Sequence, residues 1–279
     1  MGTGFYDRQI AEWRAAGWTI VQCIRELAHA HGLRLGEAKE IVHLSPAWAD
    51  VRRQHDTFHE IVEMTFHQLT AGTMFLIGQY DSPFVRRVGI ALKLYGVAFE
   101  QKPWSTFADA DKIAPFNPLR RVPTLVLDSG EVLIESAAIL DYLDEEAGPE
   151  RAMIADHGPD RRRALQICAL ATGLADKAVI LFYEGVLHQE KSDVWVARCK
   201  TQIAEVLGVL EQDRVARTTP WWFGETIGHA DIAVACALRF VRDVHPALFG
   251  DHPALLAHAE RCEAMPVFAE ISQAFSPPA

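Results

Sequence analysis

Segments rich in β-forming residues occur in only one stretch of the chain, residues 74–135. Of all the features of the sequence, this one most limits the folds that the chain can adopt. The stretch begins with the apolar run MFLIGQY at Met74, passes through an extended segment from Val97 to Lys102 and ends with VPTLVLDSGEVLIE, which turns at residues 128–130. A segment of helical period lies between the first two. This order predicts a β-α-β unit followed by a hairpin, in a small α/β domain.

Helical periodicity fills the sequence on both sides of this stretch. Before it, apolar residues recur at threes and fours through residues 1 to about 72, and after it Ser136 opens a helical segment that stops at Gly148 and Pro149. A polar linker follows. The remaining segments of helical period cover residues 160–190, 192–215, 229–244 and 253–274. The predicted parts are an all-α extension (1–72), an α/β domain (74–148) and an all-α domain (159–279).

Charge and cysteine content exclude several classes of protein. Lys and Arg number 27 against 37 Asp and Glu, a formal charge of −10 without a basic cluster, which argues against nucleic acid or an anionic membrane as partner. The five cysteines include no Cys-x-x-Cys pair, which excludes a disulfide framework and a zinc ribbon. Because there is also no secretory signal and no apolar run of membrane-spanning length, we expect a soluble cytoplasmic protein.

The first strand-to-helix junction carries the candidate catalytic residue. The sequence YDSPFVRRV places Ser82 at the predicted N-cap and Pro83 at the first helical position. A hydroxyl there lies at the positive end of a helix dipole. Capping alone would explain an arbitrary Ser-Pro pair, so a chemical role depends on the rest of the sequence. Tyr80 is a weaker alternative donor, because a ring at a strand end is expected to pack.

Three further segments come in a recognisable order. RRVPTL places Pro123 just before a strand, where a cis peptide bond would turn the Val122 backbone outward toward an extended peptide. ESAAI sets the Glu135 carboxylate and the Ser136 hydroxyl at a helix N-terminus, where an ammonium and a carboxylate can be held side by side. The third segment, GHADIA, begins at Gly228 in the helical part.

Together these segments resemble the cytosolic glutathione transferase family over about residues 74–275. The sequences SPFVRRVGIALKLYGVAFE and NPLRRVPTLVLDSGEVLIESAAILDYLDE are most similar to its serine-type members. The resemblance implies a thioredoxin-like α/β domain followed by an all-α helical bundle, a homodimer, and glutathione as co-substrate without a metal. One position departs from the family: Gly228 stands where Ser or Thr usually begins the capping box that ends at Asp231, and we expect Asp231 to be structural.

The resemblance also implies which residues bind glutathione. Ser82 would face the sulfur, and Val122, before a cis Pro123, would bond to the cysteinyl backbone. Glu135 with Ser136 would hold the γ-glutamyl end, the alternative being that both residues only cap a helix.

Four further residues are implied in binding the glycine end of glutathione and the electrophile. Arg121 would reach the glycine carboxylate, with Arg120 competing for that role, and Phe182 and Tyr183 would contribute to the pocket for the electrophile. The implied activity is conjugation of glutathione to small hydrophobic electrophiles, or reduction of a peroxide by bound glutathione. Residues 74–150 contain no cysteine, which disfavours thiol exchange. The alternative is a non-catalytic binding or regulatory protein whose extension binds a partner.

The extension itself lies outside this resemblance. His55, His59, Glu63 and His67 are spaced by four on one predicted helical flank, where paired imidazoles can bind a divalent metal, but a solvated face beside an apolar stripe is the simpler interpretation. The segment IVQCIRELAHAHGLRLGEAKEIV resembles the paired helices in the C-terminal domain of ribosomal protein L7/L12. The extension is therefore interpreted as an interaction module or as a second packing layer.

Overall fold

A computed structural model of the chain describes residues 4–33, 35–49 and 73–277, which fall in two compact units, Met1–Leu69 and Thr70–Ala279. The first unit is helical in its described part, as predicted. Its elements are α1 (Gly4–Ala15), α2 (Ile20–His31), α3 (Leu35–Leu44) and a 3₁₀ turn (Pro46–Trp48).

The first unit has a hydrophobic core of its own. Thr19 begins α2 with a capping box, because its hydroxyl accepts from the Gln22 backbone while the Gln22 side chain accepts from the Thr19 backbone. The core consists of buried side chains from all three helices and the turn, namely Ile10, Cys23, Leu27, Ala38, Val42 and Trp48. The histidine series His55, His59, Glu63 and His67 lies outside the described residues.

The first half of the second unit is a mixed four-stranded sheet with helices. Its elements are β1 (Phe75–Ile77), α4 (Pro83–Tyr95), β2 (Glu100–Lys102), α5 (Ala110–Ile113), β3 (Thr124–Val126), β4 (Val132–Ile134) and α6 (Ser136–Ala147). The strand order is β2-β1-β3-β4, with β1 parallel to β2 and the other neighbours antiparallel. The predicted β-α-β unit and hairpin are confirmed, and the arrangement is the thioredoxin-like fold.

The second half of this unit is helical. Its elements are α7 (Gly158–Leu187), α8 (Asp193–Val215), α9 (His229–Val244), α10 (Pro246–Phe249), α11 (Pro253–Glu263) and α12 (Pro266–Glu270). The prediction of one helix over 253–274 is wrong. Pro266 has no N–H to offer the carbonyl four residues earlier, so the chain turns there, with the Met265 N–H bonded to the Cys262 carbonyl at 3.0 Å.

Helix α9 joins the two halves, because it is buried on opposite sides. Twelve of its sixteen residues are buried. Val234 and Leu238 pack in the core of the helical half, while Ile232 and Cys236 pack in the core formed with the sheet and α4. The two halves therefore share a helix rather than meeting through surface contacts alone.

The glycine that departs from the family pattern has a local explanation. A Cβ atom at Gly228 would lie 2.8 Å from the carbonyl oxygen of Met153, which accepts a hydrogen bond from His229 N. The expected return bond from Asp231 is confirmed, since its Oδ2 accepts from Gly228 N at 2.9 Å and its Oδ1 accepts from Trp222 N at 2.8 Å. Asp231 therefore ties the start of α9 to the preceding loop.

The expectation that no apolar run is long enough to span a membrane is wrong for one described helix, α7. Over Gly158–Leu187 it is long and apolar enough to cross a bilayer by length and composition alone. Within its apolar stretch, 33% of the helix is buried. Ile167, Leu174 and Leu181 on this helix lie in the core of the helical half, so the structure places it as a bundle helix.

Candidate functional site

A close approach of three segments builds the floor of the site. Gly78, at the end of β1, has a φ of 130°. A Cβ atom there would lie 2.5 Å from Cγ2 of Val85 and 3.0 Å from Cβ of Val122. Only glycine permits both the backbone angle and the contacts. The end of β1, the first turn of α4 and the segment before β3 are thereby brought together, although 44 positions separate Gly78 from Val122 in the sequence.

Ser82 is the N-cap of α4, as predicted. Its φ and ψ are −71° and 122°, Pro83 follows at the first helical position, and its Oγ accepts from Val85 N at 3.4 Å. That distance is long for a capping bond. The residue is partly exposed and lines a cleft. Ser82 therefore both caps α4 and lines the cleft.

The cleft has a volume of about 520 Å³ and lies between the sheet half and the helical half of this unit. Among the predicted site residues, it is lined by Ser82, Arg121, Val122, Phe182 and Tyr183. The structure thus brings together candidates from the α4 start, the turn before β3 and α7. The remaining predicted residues, Pro123, Glu135 and Ser136, are not among those that line it.

The turn before β3 is held by a buried asparagine that sequence reasoning missed. Asn117 is 2% exposed, and its Nδ2 donates to the carbonyl oxygen of Arg121 at 2.9 Å and to Oγ1 of Thr124 at 3.1 Å. The Val122–Pro123 peptide bond is cis. The only sequence signal for Asn117 was its place in NPLRRVP, where an amide can bond to nearby backbone.

The two arginines of this turn both line the cleft but have different partners. Arg120 has a φ of 52° and pairs with Asp111 at 2.7 Å, while Arg121 Nη1 lies 3.4 Å from Glu135 Oε1. Glu135 makes no capping bond at the start of α6, and its side chain is 57% exposed. The Glu135 carboxylate is therefore available beside Arg121, whereas the adjoining Ser136 is 4% exposed.

Aromatic side chains form the opposite wall. Phe182 and Tyr183 on α7 lie 5.6 Å apart by ring centroids, Phe182 meets Phe275 edge-on at 5.0 Å, and Phe275 meets Phe240 at 5.6 Å. Phe107, from the loop after β2, contacts Tyr183 edge-on at 5.3 Å. Such edge-to-face pairs favour a fixed wall. Phe107, Phe240 and Phe275 were missed, because residues so distant in sequence meet only in the folded chain.

The loop after β2 also closes one side of the cleft. Trp104, Ser105 and Thr106 line it together with Phe107. Phe107 joins this loop to α7 through its edge-on contact with Tyr183 at 5.3 Å. Burial raises the pKa of Tyr183.

Tyr80, the weaker alternative to Ser82, is packed away from the cleft. It is 9% exposed and does not line the cleft. Burial, with a smaller contribution from Glu270, raises the pKa of Tyr80 to about 12. A Cβ atom at Gly89 would lie 2.9 Å from its ring, so the ring fills the space beside α4. The expectation that Tyr80 packs is confirmed.

No group of three or more His, Cys, Asp or Glu side chains suited to a metal ion occurs within residues 4–33, 35–49 and 73–277. The four cysteines of the second unit do not line the cleft. Burial raises the pKa of Cys168 to about 11 and that of Cys236 to about 12, so these thiols are protonated at neutral pH.

Comparisons with known proteins agree with this architecture. Residues 76–151 match the glutathione S-transferase N-terminal domain, and residues 193–261 match its C-terminal domain. The GST-like protein YibF of Escherichia coli is 33% identical over 190 residues, which cover 67% of this chain and 92% of that protein.

Two solved structures are similar to the second unit. A glutathione S-transferase from Methylobacterium radiotolerans in complex with glutathione sulfonate has a TM-score of 0.67 at 26% identity and covers 74% of this chain and 99% of its own. A glutathione transferase family member from Pseudomonas fluorescens with bound glutathione has a TM-score of 0.62 at 30% identity, covering 74% and 100%. On the matched domains, the relative and the shared fold, the chain belongs to the glutathione S-transferase family.

Proposed function

We propose that the protein is a serine-type glutathione transferase that conjugates glutathione to small hydrophobic electrophiles. The observation that carries this proposal is the position of Ser82, which begins α4 and lines a cleft of about 520 Å³ with an aromatic opposite wall. In this role the Ser82 hydroxyl donates a hydrogen bond to the glutathione thiolate. It does not itself attack the electrophile.

The energetics of this role are sufficient without a metal or a general base. Lowering the pKa of a thiol from about 8.5 to ~6.5 requires about 2.7 kcal/mol of differential stabilisation. A hydrogen bond to a charged group contributes roughly 1.5–3 kcal/mol. A helix N-terminus contributes about 0.3–1 kcal/mol, and ~2 where partly buried. Together these two sources account for a thiolate at neutral pH.

The rest of the glutathione molecule would be held by neighbouring segments. In the proposal the Val122 backbone, before cis Pro123, bonds to the cysteinyl residue, and Glu135 with Ser136 holds the γ-glutamyl end. Arg121 reaches the glycine carboxylate. Arg121 lines the cleft, which supports its contact with bound glutathione.

The reaction proceeds by attack of the sulfur on an electrophilic carbon. A C–S bond forms, the leaving group departs with the electron pair of its bond to that carbon, and the thiol proton passes to solvent when the thiolate forms. Bound glutathione would reduce a peroxide through the same thiolate: the sulfur bonds to one peroxide oxygen, the O–O bond breaks with its electron pair leaving on the other oxygen, and a second glutathione converts the resulting sulfenic acid into glutathione disulfide and water. Thiol exchange through the protein is disfavoured, because the cysteines of this unit lie outside the cleft with raised pKa values.

We further propose that the enzyme is a cytoplasmic homodimer with three parts, 1–72, 74–148 and 159–279. The first part is proposed as an appended helical interaction module, with a second packing layer as the alternative. Its own hydrophobic core and its position outside the matched residues 76–151 and 193–261 support a separate task. The same observations favour the second candidate, a non-catalytic binding protein.

A Ser82→Ala variant tests the catalytic proposal. Loss of a charge-assisted hydrogen bond predicts that the thiol pKa of bound glutathione rises by about 1–2 units, with retention on glutathione resin unchanged. The thiol is titrated through its ultraviolet thiolate absorbance. The matched control is Ser276→Ala, since Ser276 also lines the cleft but bonds through its backbone N–H. A wild-type protein that neither binds glutathione nor consumes electrophiles would instead establish the binding protein.

A further inference from the structure

The charges in the cleft are divided between its two sides. On the sheet side Arg120 and Arg121 line it, and each already pairs with a carboxylate, at 2.7 Å from Asp111 and 3.4 Å from Glu135. In the proposed function the glycine carboxylate of glutathione adds a further anion here. The positive charge on this side is therefore compensated once glutathione binds.

The electrophile side carries two carboxylates and no cation among its described lining residues. Asp81 precedes Ser82, and Asp176 lies on α7 at helical positions i−3 and i−7 from Val179 and Tyr183, on one face of that helix. Asp176 has Lys177 at 3.6 Å but remains 45% exposed, and Lys177 does not line the cleft. Asp81 forms no ion pair with any described Lys, Arg or His residue and accepts from Ser276 N at 3.1 Å.

Asp81 lines the same cleft as the aromatic wall. Burial raises the pKa of Tyr183, and the charge of Asp81 adds to that rise. The tail that it holds through Ser276 also carries Phe275, which packs edge-on against Phe182 at 5.0 Å. The two carboxylates thus flank the rings that would contact the electrophile.

We infer that this cleft selects aromatic electrophiles that are neutral or cationic and rejects anionic ones, with Asp81 and Asp176 as the residues that determine this specificity. The inference rests on the proposed function and names the substrate class of the same site. Three effects act in one direction: the carboxylates repel an anion, the aromatic faces attract a cation, and bound glutathione thiolate is itself a net anion. Where one sign of charge dominates a wall of a cleft, as the carboxylates do on the electrophile side, the local ligand concentration changes by about tenfold.

The test uses two electrophiles that differ only in a remote charge. Both are 4-chloro-3-nitrobenzamides, one with a 2-trimethylammonioethyl group on the amide nitrogen and the other with a 2-sulfonatoethyl group. In each the glutathione sulfur forms a bond to the ring carbon and chloride leaves with the electron pair of the C–Cl bond. The first readout is the ratio of the kcat/KM values for the two electrophiles, divided by the ratio of their uncatalysed rates with free glutathione to remove the difference in intrinsic reactivity. The second readout is the affinity of each purified S-aryl conjugate, measured by calorimetry.

The expected result is a preference of about tenfold for the cation in both readouts at low salt, weakened at 0.5 M NaCl. Asp176→Asn and Asp81→Asn should each remove part of it, and the double variant should bring the two conjugates within about twofold. Asparagine keeps an acceptor for Ser276 N. The matched control is Asp160→Asn, an equal charge change on α7 that lies about 24 Å along the helix from Asp176 and outside the cleft.

Two results would overturn the inference, and they differ from failure of the proposed function. Equal binding of the two conjugates by the wild-type protein, or a preference unchanged in the double variant, refutes charge selection while leaving the transferase intact. If a conjugate with an uncharged 2-methoxyethyl group also fails to bind, the glutathione site itself is refuted and the inference falls with it. The Asp176→Asn variant alone decides the question if Asp81→Asn fails to fold.

Discussion

A buried ion pair holds the helix that carries Ser82, and its removal should be costly. Arg86 on α4 is 2% exposed, and its guanidinium donates to both oxygens of Glu263 at 2.6 and 2.8 Å. It also donates to the carbonyl oxygens of Ile271 at 2.8 Å and Phe268 at 2.9 Å. Four hydrogen bonds thus tie α4 to the two C-terminal helices and to the residue that follows them.

The magnitude follows from what is left behind when the carboxylate is removed. Breaking a buried pair costs about 3–5 kcal/mol, because one charge stays buried without its partner. Glu263 is 29% exposed, so solvent reaches part of the site and the lower end applies. We expect Glu263→Gln to lower the free energy of unfolding by about 2–3 kcal/mol. For a unit of this size that corresponds to a fall of about 4–12 °C in Tm.

An ion pair between the same regions provides the control. Lys93 on α4 and Glu270 on α12 lie 2.7 Å apart, but their side chains are 40% and 57% exposed. Exposed pairs contribute about 0–1 kcal/mol, so Glu270→Gln should shift Tm by only ~2 °C. Unfolding of the full chain is followed by tryptophan fluorescence during urea and thermal denaturation. If the two variants lose equal stability, burial does not determine how much the Arg86–Glu263 pair contributes to the free energy of unfolding.

Three further perturbations test other parts of the second unit. Burial lowers the pKa of His258 to about 4, so the folded protein favours the neutral ring. The free energy of unfolding should therefore fall as the pH drops from 6.5 toward 4, by about 2 kcal/mol at pH 5. Urea titrations of the His258→Gln variant should lack this loss. Gly228→Ser should lower the free energy of unfolding by about 1–3 kcal/mol in the same assay, because its Cβ would lie 2.8 Å from the Met153 carbonyl oxygen. Serine is a good helix cap, so a gain in stability would refute this reasoning. Asn117→Ala should weaken glutathione affinity by about tenfold, because the Arg121 carbonyl loses its buried donor. The circular dichroism spectrum should stay close to that of the wild type. An unchanged affinity by calorimetry would show that this turn does not contribute to glutathione binding.

The sequence alone determined the local elements, because their signals are local. Alternating and helical periods fixed the β-α-β unit, the hairpin and the four main helices α6 to α9 to within about three residues. Ser82 before Pro83 determined the start of α4 for the same reason, since a cap and a proline at the first helical position act within one turn. The resemblance of these segments to one family then correctly indicated the fold.

Only the tertiary structure decided which of these elements form the cleft. Gly78 joins β1, α4 and the turn at Val122 through a backbone angle and contacts that no sequence period records. Phe275 reaches Phe182 across 93 positions of sequence, and Asp81 meets Ser276 across 195. Packing between distant segments is specified by shape and volume rather than by spacing along the chain. The sequence therefore determined where Ser82 begins α4, and the tertiary structure determined the charged aromatic side of the cleft that Ser82 lines.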